Sequence, residues 1–370
     1  MKLSLHRRAG AVALTGALAL ALAACGSDDP TGTGDATSGS DESVSTLSGE
    51  LNGAGASSQE KAMDAWRAGF QSGNPDVTVN YDPVGSGGGR TQFLEGAVQF
   101  AGTDSALDDE ELATAQETCS ADAIDIPVYV SPIAVVFNLE GVTELNLSAT
   151  TIAGIFQGTI TSWDAPEIKA ENPDATLPAV AITPVHRLDE SGTTKNFTDW
   201  LGKASGGAWA HEADGNWPIE GGESAQGTSG VIQTVQGGNG TITYADESAA
   251  GSLGKASIKV GEEWVAPSAD AVAVALDASP RAEGRTEHDI VIDIDRETTE
   301  SGAYPLFLVS YAVACLQYED AATADLVKGF LGYVVSTEGQ EAAAQAAGSA
   351  PLSDALAADA QAAVEAIAAA

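Results

Sequence analysis

Apolar and polar positions follow two periodicities along most of this chain, one typical of helices and one typical of strands. Helical spacing is seen, for example, in Met63, Trp66 and Phe70. Strand-like stretches, alternating or continuously apolar, occupy residues 77–81, 124–137, 179–185, 241–244 and 306–317. Strands that alternate with helices in this way predict an α/β fold.

The first 24 residues follow a different pattern, in which a basic start precedes an apolar run from Ala9 to Ala24. The run is too short for a typical transmembrane helix and predicts a secretory signal. It ends in Leu22-Ala23-Ala24-Cys25-Gly26, which resembles the lipobox of bacterial lipoproteins. An ordinary signal peptide with an incidental cysteine is the alternative. We expect residues 1–24 to be a lipoprotein signal peptide and Cys25 to carry the lipid that anchors the chain to the cell membrane.

Residues 25–46 are rich in Gly, Ser, Thr and Asp and contain no aromatic and no basic side chain. Such a segment cannot bury enough apolar surface to offset the entropy lost on ordering. It therefore predicts a disordered tether, and the folded part of the chain is expected to begin at residue 47.

Charge and cysteine content narrow the function classes. The chain has 53 acidic and 16 basic residues, and a net charge of −37 argues against a nucleic-acid-binding surface. No HExxH, CxxC or histidine-pair spacing is present, so we expect neither a metal nor another cofactor. Apart from Cys25, the cysteines are Cys119 and Cys315. Outside the cytoplasm these two are compatible with a disulfide, and two buried free thiols are the alternative.

Three places share one design, in which glycine and small hydroxyl residues come directly before a predicted helix. They are residues 51–60 (LNGAGASSQE), 84–90 (VGSGGGR) and 187–194 (RLDESGTT). A helix N-terminus presents unpaired N–H groups and the positive end of the dipole, and glycine lets an oxyanion approach the backbone. Three such starts at one point would form a site for a small tetrahedral anion. Singly each is weak evidence, because Ser and Thr begin many helices and the run 85–89 lacks the ending of a P-loop.

Each of the three helix starts also predicts a local feature, either a cap or a buried apolar face. Ser57 and Glu60 fit a capping box at the first helix. The apolar face of the second helix is expected from Leu94, Ala97 and Val98, and that of the third from Phe197, Trp200 and Leu201.

Seven short segments follow one another in a specific order between Leu51 and Leu352. They are residues 53–57 (GAGAS), 85–88 (GSGG), 100–107 (FAGTDSAL), 155–164 (IFQGTITSWD), 187–193 (RLDESGT), 217–218 (WP) and 350–352 (APL). Together they resemble the phosphate-binding lipoprotein of bacterial high-affinity phosphate ABC transporters. Two departures bear on affinity more than on the identity of the ligand. Ser58 stands where the family often has Phe, and His186 where a second Arg is common.

The resemblance implies a class II periplasmic-binding-protein fold, in which two α/β lobes are joined by two crossing hinge strands and the ligand lies in the cleft. We expect the crossings near 126–136 and 242–250. Lobe 1 is expected to comprise 47–128 and 245–370, and an inserted lobe 2 to comprise 129–244. The alanine-rich segment 341–370 is expected to form two helices on lobe 1. The family places the regions of Cys119 and Cys315 in this lobe, where we expect them to form a disulfide.

The resemblance also implies a function: extracytoplasmic capture of inorganic phosphate by a monomer, and its delivery to an ABC permease and ATPase, without catalysis. Asp189 is expected to orient Arg187. Asp104 is a carboxylate set against an anion, which makes sense only if the ligand brings a proton, as monohydrogen phosphate does and sulfate does not. The implied phosphate-binding residues are Ser57, Ser58, Ser86, Asp104, Arg187, Ser191, Gly192 and Thr193.

Three other functions stay open. A phosphate-ester hydrolase with Ser191 as nucleophile lacks a G-x-S-x-G elbow, a metal cluster and any obvious base except His186. A binding protein for another oxyanion would use the same helix starts. A sensory or adhesive lipoprotein would keep the fold and lose transport.

Overall fold

The structure, a computed structural model, describes residues 47–119 and 121–370. The expected signal peptide, the tether and Cys25 lie outside the described residues. None of the described helices has the length and apolar character needed to cross a bilayer.

Strands and helices alternate along the described chain, and the predicted α/β class is confirmed. The strands are β1 (Gly49–Gly55), β2 (Val77–Asp82), β3 (Phe100–Thr103), β4 (Ala123–Asn138), β5 (Glu144–Leu147), β6 (Thr183–Arg187), β7 (Glu223–Ala225), β8 (Thr241–Asp246), β9 (Gly254–Val260), β10 (Glu263–Val265), β11 (Phe307–Cys315), β12 (Gln317–Tyr318) and β13 (Ala368–Ala369). The helices are α1 (Glu60–Gly73), α2 (Ser86–Leu94), α3 (Asp109–Cys119), α4 (Ala149–Phe156), α5 (Pro166–Glu171), α6 (Gly192–Ala204), α7 (Gly227–Gly237), α8 (Ala269–Asp277), α9 (Ala321–Val334), α10 (Thr337–Ala347) and α11 (Asp354–Glu365).

The long strand β4 is the centre of one mixed sheet, whose main strand order is β2-β1-β3-β11-β4-β8-β6-β7. Its first half pairs antiparallel with β11, and its second half, from Ile133 to Asn138, pairs antiparallel with β8. Almost every residue of β4 is buried, which explains its continuous apolar run. β4 therefore carries the chain from one half of the sheet into the other.

The strand β9 returns to the second half of β4 after β8 has ended. It pairs with β4 at Val136 and Phe137 and runs parallel to β5. The chain joins the first half of the sheet again at β11, which pairs with both β3 and β4. The lobe boundaries at residues 128/129 and 244/245 stay a prediction.

One strand prediction is displaced along the chain. The sequence predicts a strand over residues 179–185, whereas β6 comprises Thr183–Arg187. The backbone before β6 pairs elsewhere: Trp163 N–H donates to the Val180 carbonyl (3.0 Å) and Ile182 N–H donates to the Thr161 carbonyl (2.9 Å).

Two of the local helix expectations are wrong. Ser57 does not cap α1, because the helix begins at Glu60 after Gln59 and no side chain caps it. The apolar face expected from Leu94, Ala97 and Val98 does not form, because α2 ends at Leu94 and Phe93 is its buried aromatic side chain. The face expected for the third helix is confirmed, since Phe197, Trp200 and Leu201 of α6 are all buried.

A disulfide joins Cys119, the last residue of α3, to Cys315, the last residue of β11. The two Cα atoms are 5.3 Å apart, and 196 positions separate the residues along the chain. Both side chains are buried. The bond therefore connects an early part of the chain to a late part across the whole of β4 to β10.

Replacing both cysteines by serine should lower the free energy of unfolding by as much as about 4–5 kcal/mol, because the bond restricts a long loop in the unfolded chain. Urea unfolding of the oxidised protein, the reduced protein and the double serine variant measures this. Equal stability of all three, or two labelled thiols in the non-reduced protein, would contradict the prediction.

A buried carboxylate lies where β4 changes its partner from β11 to β8. Asp246 is fully buried; the Tyr129 hydroxyl donates to its Oδ2 (3.0 Å), and the Ser248 N–H donates to its Oδ1 (3.1 Å). Burial raises the pKa of Asp246 to about 6, although hydrogen bonds from Ser248 and Tyr129 oppose the rise. The folded protein therefore takes up this proton at a higher pH than the unfolded chain does.

Because the folded pKa is the higher one, the charge on Asp246 should cost stability that is absent below about pH 4 and grows as the pH rises to about 6. Above that pH the cost should be constant, at about 3 kcal/mol. Asp246→Asn cannot ionise, so its stability relative to the wild type should increase between pH 4 and 6 and then level off. Chemical unfolding of both proteins at several pH values checks this, and a difference that does not change with pH would contradict it.

Candidate functional site

The candidate site lies between the carboxyl ends of β1 and β3, in the first half of the sheet, and that of β6, in the second half, where α1, α2, α6 and α7 begin. A crevice outside the carboxyl ends of strands is the usual place for a ligand in an open α/β sheet. The eight residues expected to bind the ligand are all buried here: Ser57, Ser58, Ser86, Asp104, Arg187, Ser191, Gly192 and Thr193.

Asp104, directly after β3, is the point at which three of the helix starts meet. Its Oδ1 accepts from the Ser58 hydroxyl before α1 (2.7 Å), and its Oδ2 accepts from the Thr193 hydroxyl of α6 (3.0 Å). Its N–H donates to the hydroxyl of Ser86, the first residue of α2 (3.1 Å). The family resemblance places these residues in one site, and the structure brings them into contact.

Ser310 on β11 is a member of this cluster that the sequence analysis missed. Its hydroxyl donates to Oδ1 of Asp104 (2.8 Å), and Gln59 Nε2 donates to the Ser310 oxygen (2.8 Å). Ser310 stands inside an otherwise apolar buried strand, and a polar residue in such a run has to find a partner. That interruption is the sequence signal that could have identified it.

Three hydroxyls thus surround a carboxylate that is 3% exposed. Burial raises the pKa of Asp104, and the hydrogen bonds from Ser58, Ser310 and Thr193 oppose this rise, as does the charge of Arg187. Within the described residues, Oδ2 accepts one hydrogen bond and Oδ1 accepts two. Since each carboxylate oxygen has two lone pairs, Oδ2 can accept one further donor from a ligand.

Two glycines allow these loops to approach one another. A Cβ on Gly192 would lie 2.6 Å from both Asp104 Cβ and Ser86 Oγ, so no larger residue fits at the start of α6. Gly85, before α2, has a φ of +98°, and a Cβ there would lie 2.4 Å from Asp189 Oδ2. The close packing of helix starts at this site requires glycine at both positions.

Arg187, at the end of β6, is held by Asp189 in a two-bond pair. Arg187 Nε donates to Asp189 Oδ1 (2.9 Å) and Nη2 donates to Oδ2, while Gly227 N–H also donates to Oδ1 (3.0 Å). Burial alone would raise the pKa of Asp189, but the hydrogen bond and charge of Arg187 outweigh it and lower the pKa. Asp189 is therefore a fixed anion that orients the guanidinium. Nη1 makes no hydrogen bond to the described part of the chain and is left for a ligand.

A fourth helix start, that of α7, also reaches the site and was missed. Ser57 Oγ accepts from the Thr228 N–H (3.1 Å) and lies 3.0 Å from the Thr228 hydroxyl. Residues 227–230 (GTSG) before Val231 have the same design as the other three starts, so the sequence carried the signal. Ser57 therefore bonds to a second helix instead of capping its own.

Ser191 and His186 do not form a nucleophile and base. Ser191 caps α6 by accepting from the Thr194 N–H (3.2 Å). Both ring nitrogens of His186 face backbone carbonyls, those of Arg187 (2.9 Å) and Gly221 (3.1 Å). Residues 47–119 and 121–370 contain no cluster of three His, Cys, Asp or Glu side chains that could hold a metal. The arrangement offers hydrogen-bond donors, one oriented cation and one acceptor, which suits binding of a protonated oxyanion.

Comparisons with known proteins identify the family to which the chain belongs. The family model described as PBP superfamily domain matches residues 39–338. Phosphate-binding protein PstS 3 of Mycobacterium tuberculosis is 37% identical over 337 residues, which cover 89% of this chain and 90% of that protein. Phosphate-binding protein PstS 2 of the same organism is 35% identical over 373 residues, covering 98% and 99% of the two chains.

Solved structures share the fold. A periplasmic phosphate-binding protein, PfluDING, bound with phosphate, has a TM-score of 0.68 and 24% identity, covering 85% of this chain and 93% of its own. A phosphate-binding protein from Stenotrophomonas maltophilia has a TM-score of 0.65 and 22% identity over the same shares. The fold thus matches these structures, and the identities to the mycobacterial proteins extend over nearly the whole chain. The chain belongs to the PstS family of phosphate-binding proteins.

Proposed function

We propose that this protein binds inorganic phosphate in the candidate site. The observation that carries the proposal is the buried Asp104, placed among the hydroxyls and helix starts of an anion site. A carboxylate at that place repels an anion unless the ligand donates a proton to it. Phosphate carries such a proton at neutral pH, and the PstS relatives, which are named as phosphate-binding proteins, support the same ligand.

The other groups of the site serve the remaining oxygens of the ligand. Arg187, with Nε and Nη2 committed to Asp189, offers Nη1 as a charged donor. The helix starts at Ser57, Ser86 and Ser191 offer backbone N–H groups and hydroxyls at the positive ends of the helix dipoles. Gly192 and Thr193 complete the wall between Arg187 and Asp104. We assign all eight residues to the phosphate site, and Asp189 to the orientation of Arg187.

We further propose that the bound phosphate passes to an ABC permease and ATPase for import. Cys25 would hold the protein on the outer face of the cell membrane, and the protein would act as a monomer. The proposed site binds and does not catalyse, because the Ser191 oxygen caps α6 and both ring nitrogens of His186 face backbone carbonyls. This proposal is supported by the family and by the residues 1–46 of the sequence.

Calorimetry on the purified protein tests the ligand directly. We expect one phosphate per chain, bound more tightly than sulfate at neutral pH. Arg187→Ala should weaken phosphate binding by about 2–5 kcal/mol, because it removes a buried charged partner of the anion. Arg67→Ala, which removes a partly exposed arginine on α1, is the control and should leave the affinity unchanged. Sulfate binding equal to or tighter than phosphate binding would overturn the proposal.

Asp104→Asn tests whether Asp104 selects phosphate by accepting a hydrogen bond from the protonated ligand. The amide keeps the shape of the side chain but can donate to an unprotonated oxygen. The ratio of phosphate affinity to sulfate affinity should therefore fall by an order of magnitude or more, which is the size of effect expected when a buried polar group is left unpaired. Asp246→Asn, at a fully buried carboxylate outside the site, should leave the ratio unchanged. An unaltered ratio in the Asp104 variant would show that discrimination arises elsewhere.

A further inference from the structure

The side-chain amide of Asn196 connects two loops of the candidate site. Asn196 lies on α6, one turn after Gly192, and is 7% exposed. Its Nδ2 donates to the main-chain carbonyl of Asp104 (2.7 Å) and to that of Gly192 (2.9 Å). One NH₂ group therefore holds the Asp104 loop beside the start of α6, at the close approach that only glycine permits.

The orientation of this amide is set by Arg296, in the segment before β11. Arg296 is 3% exposed. Its Nη1 donates to the carbonyls of Pro305 (2.9 Å) and Phe307 (2.7 Å), and its Nε donates to Asp199 (3.0 Å). Its Nη2 donates to Asn196 Oδ1. Because a guanidinium has only donors, Asn196 must turn its oxygen to Arg296 and its NH₂ group to the two carbonyls.

We propose that Arg296 and Asn196 are positioning residues for the anion site, and that Arg296 acts on Asp104 through the Asn196 amide. Neither side chain need touch the ligand. The relay fixes the backbone of Asp104, so that its carboxylate faces the ligand while its carbonyl is tied to α6. The inference rests on the proposed phosphate function and extends it to two residues outside the ligand-binding set.

The contacts of Arg296 distinguish its positioning role from a purely structural role in stabilising the fold. The bonds to Pro305, Phe307 and Asp199 hold the segment before β11 and would be made whether or not a ligand site lay nearby. The bond to Asn196 leads towards the site, and Asn196 has no other charged partner among residues 47–119 and 121–370. A variant that alters the Asn196 amide alone should therefore change binding more than it changes stability.

Asn196→Asp is the sharpest test, since it keeps the size of the side chain and its contact with Arg296. The variant replaces the NH₂ donor by an oxygen that faces two carbonyl oxygens, so the Asp104 loop should move away from α6. We expect phosphate to bind at least 30-fold more weakly and to dissociate correspondingly faster, as measured by calorimetry and stopped-flow release.

The matched control is Asn172→Asp. Asn172 is also buried, and its Nδ2 likewise donates to two carbonyls, those of Asn146 (2.8 Å) and Ile168 (2.9 Å), outside the candidate site. Both variants should lower the melting temperature by similar amounts, but Asn172→Asp should keep the phosphate affinity within twofold of the wild type. Equal effects of the two variants on affinity would overturn the positioning role.

Arg296→Lys tests the relay itself and retains the positive charge in case a neutral residue prevents folding. One ammonium group cannot reach Asn196 and both carbonyls in the same geometry, so phosphate affinity should fall about tenfold. In the Asn196→Asp background the same change should cost less than twofold, because the amide that transmits it is already lost. Additive losses would contradict the relay. A wild-type protein that does not bind phosphate would refute the proposed function, whereas wild-type affinity in Asn196→Asp would refute only this inference.

Discussion

The buried charge of Asp104 is the constraint on which the rest of the site depends. A carboxylate removed from water is costly unless donors replace the water, and here the donors come from three separate elements. Ser58 lies before α1, Thr193 on α6 and Ser310 on β11. Satisfying one side chain therefore requires the ends of distant segments to meet at a single point.

The sheet makes this meeting possible. β6 runs antiparallel to β1 and β3, so its carboxyl end approaches theirs from the second half of the sheet, and each of the three strands is followed by a loop that carries part of the site. The glycines at 85 and 192 then let the loops approach closely enough for short side chains to reach each other. Arg187 is held in one orientation beside this meeting point, because Asp189 accepts from its Nε and Nη2.

Much of this could be predicted from local pattern. The α/β alternation, the buried face of α6 and the run of β4 follow from apolar spacing, which reports which face of an element is buried. The pair Arg187 and Asp189 is only two positions apart, so the turn after β6 brings its members together. The predictions that were wrong also relied on local pattern. The capping box assumed that Ser57 bonds within its own helix start, whereas Ser57 bonds to Thr228. The strand predicted over residues 179–185 begins only at Thr183, because the segment before it bonds to residues 161–163.

The amino-acid sequence by itself determined the class of fold, the glycine and hydroxyl residues at the helix starts, and the residue types that an oxyanion site needs. Those features depend on period, on turn chemistry and on neighbours within a few positions. Only the tertiary structure decided which distant groups complete the site. Ser310 bonds to Asp104 across 206 positions, Thr228 to Ser57 across 171, and Arg296 to Asn196 across 100. No local pattern encodes such pairings, because a buried hydroxyl, amide or guanidinium requires a partner but does not specify which one, and the packing of the sheet and its helices makes that choice.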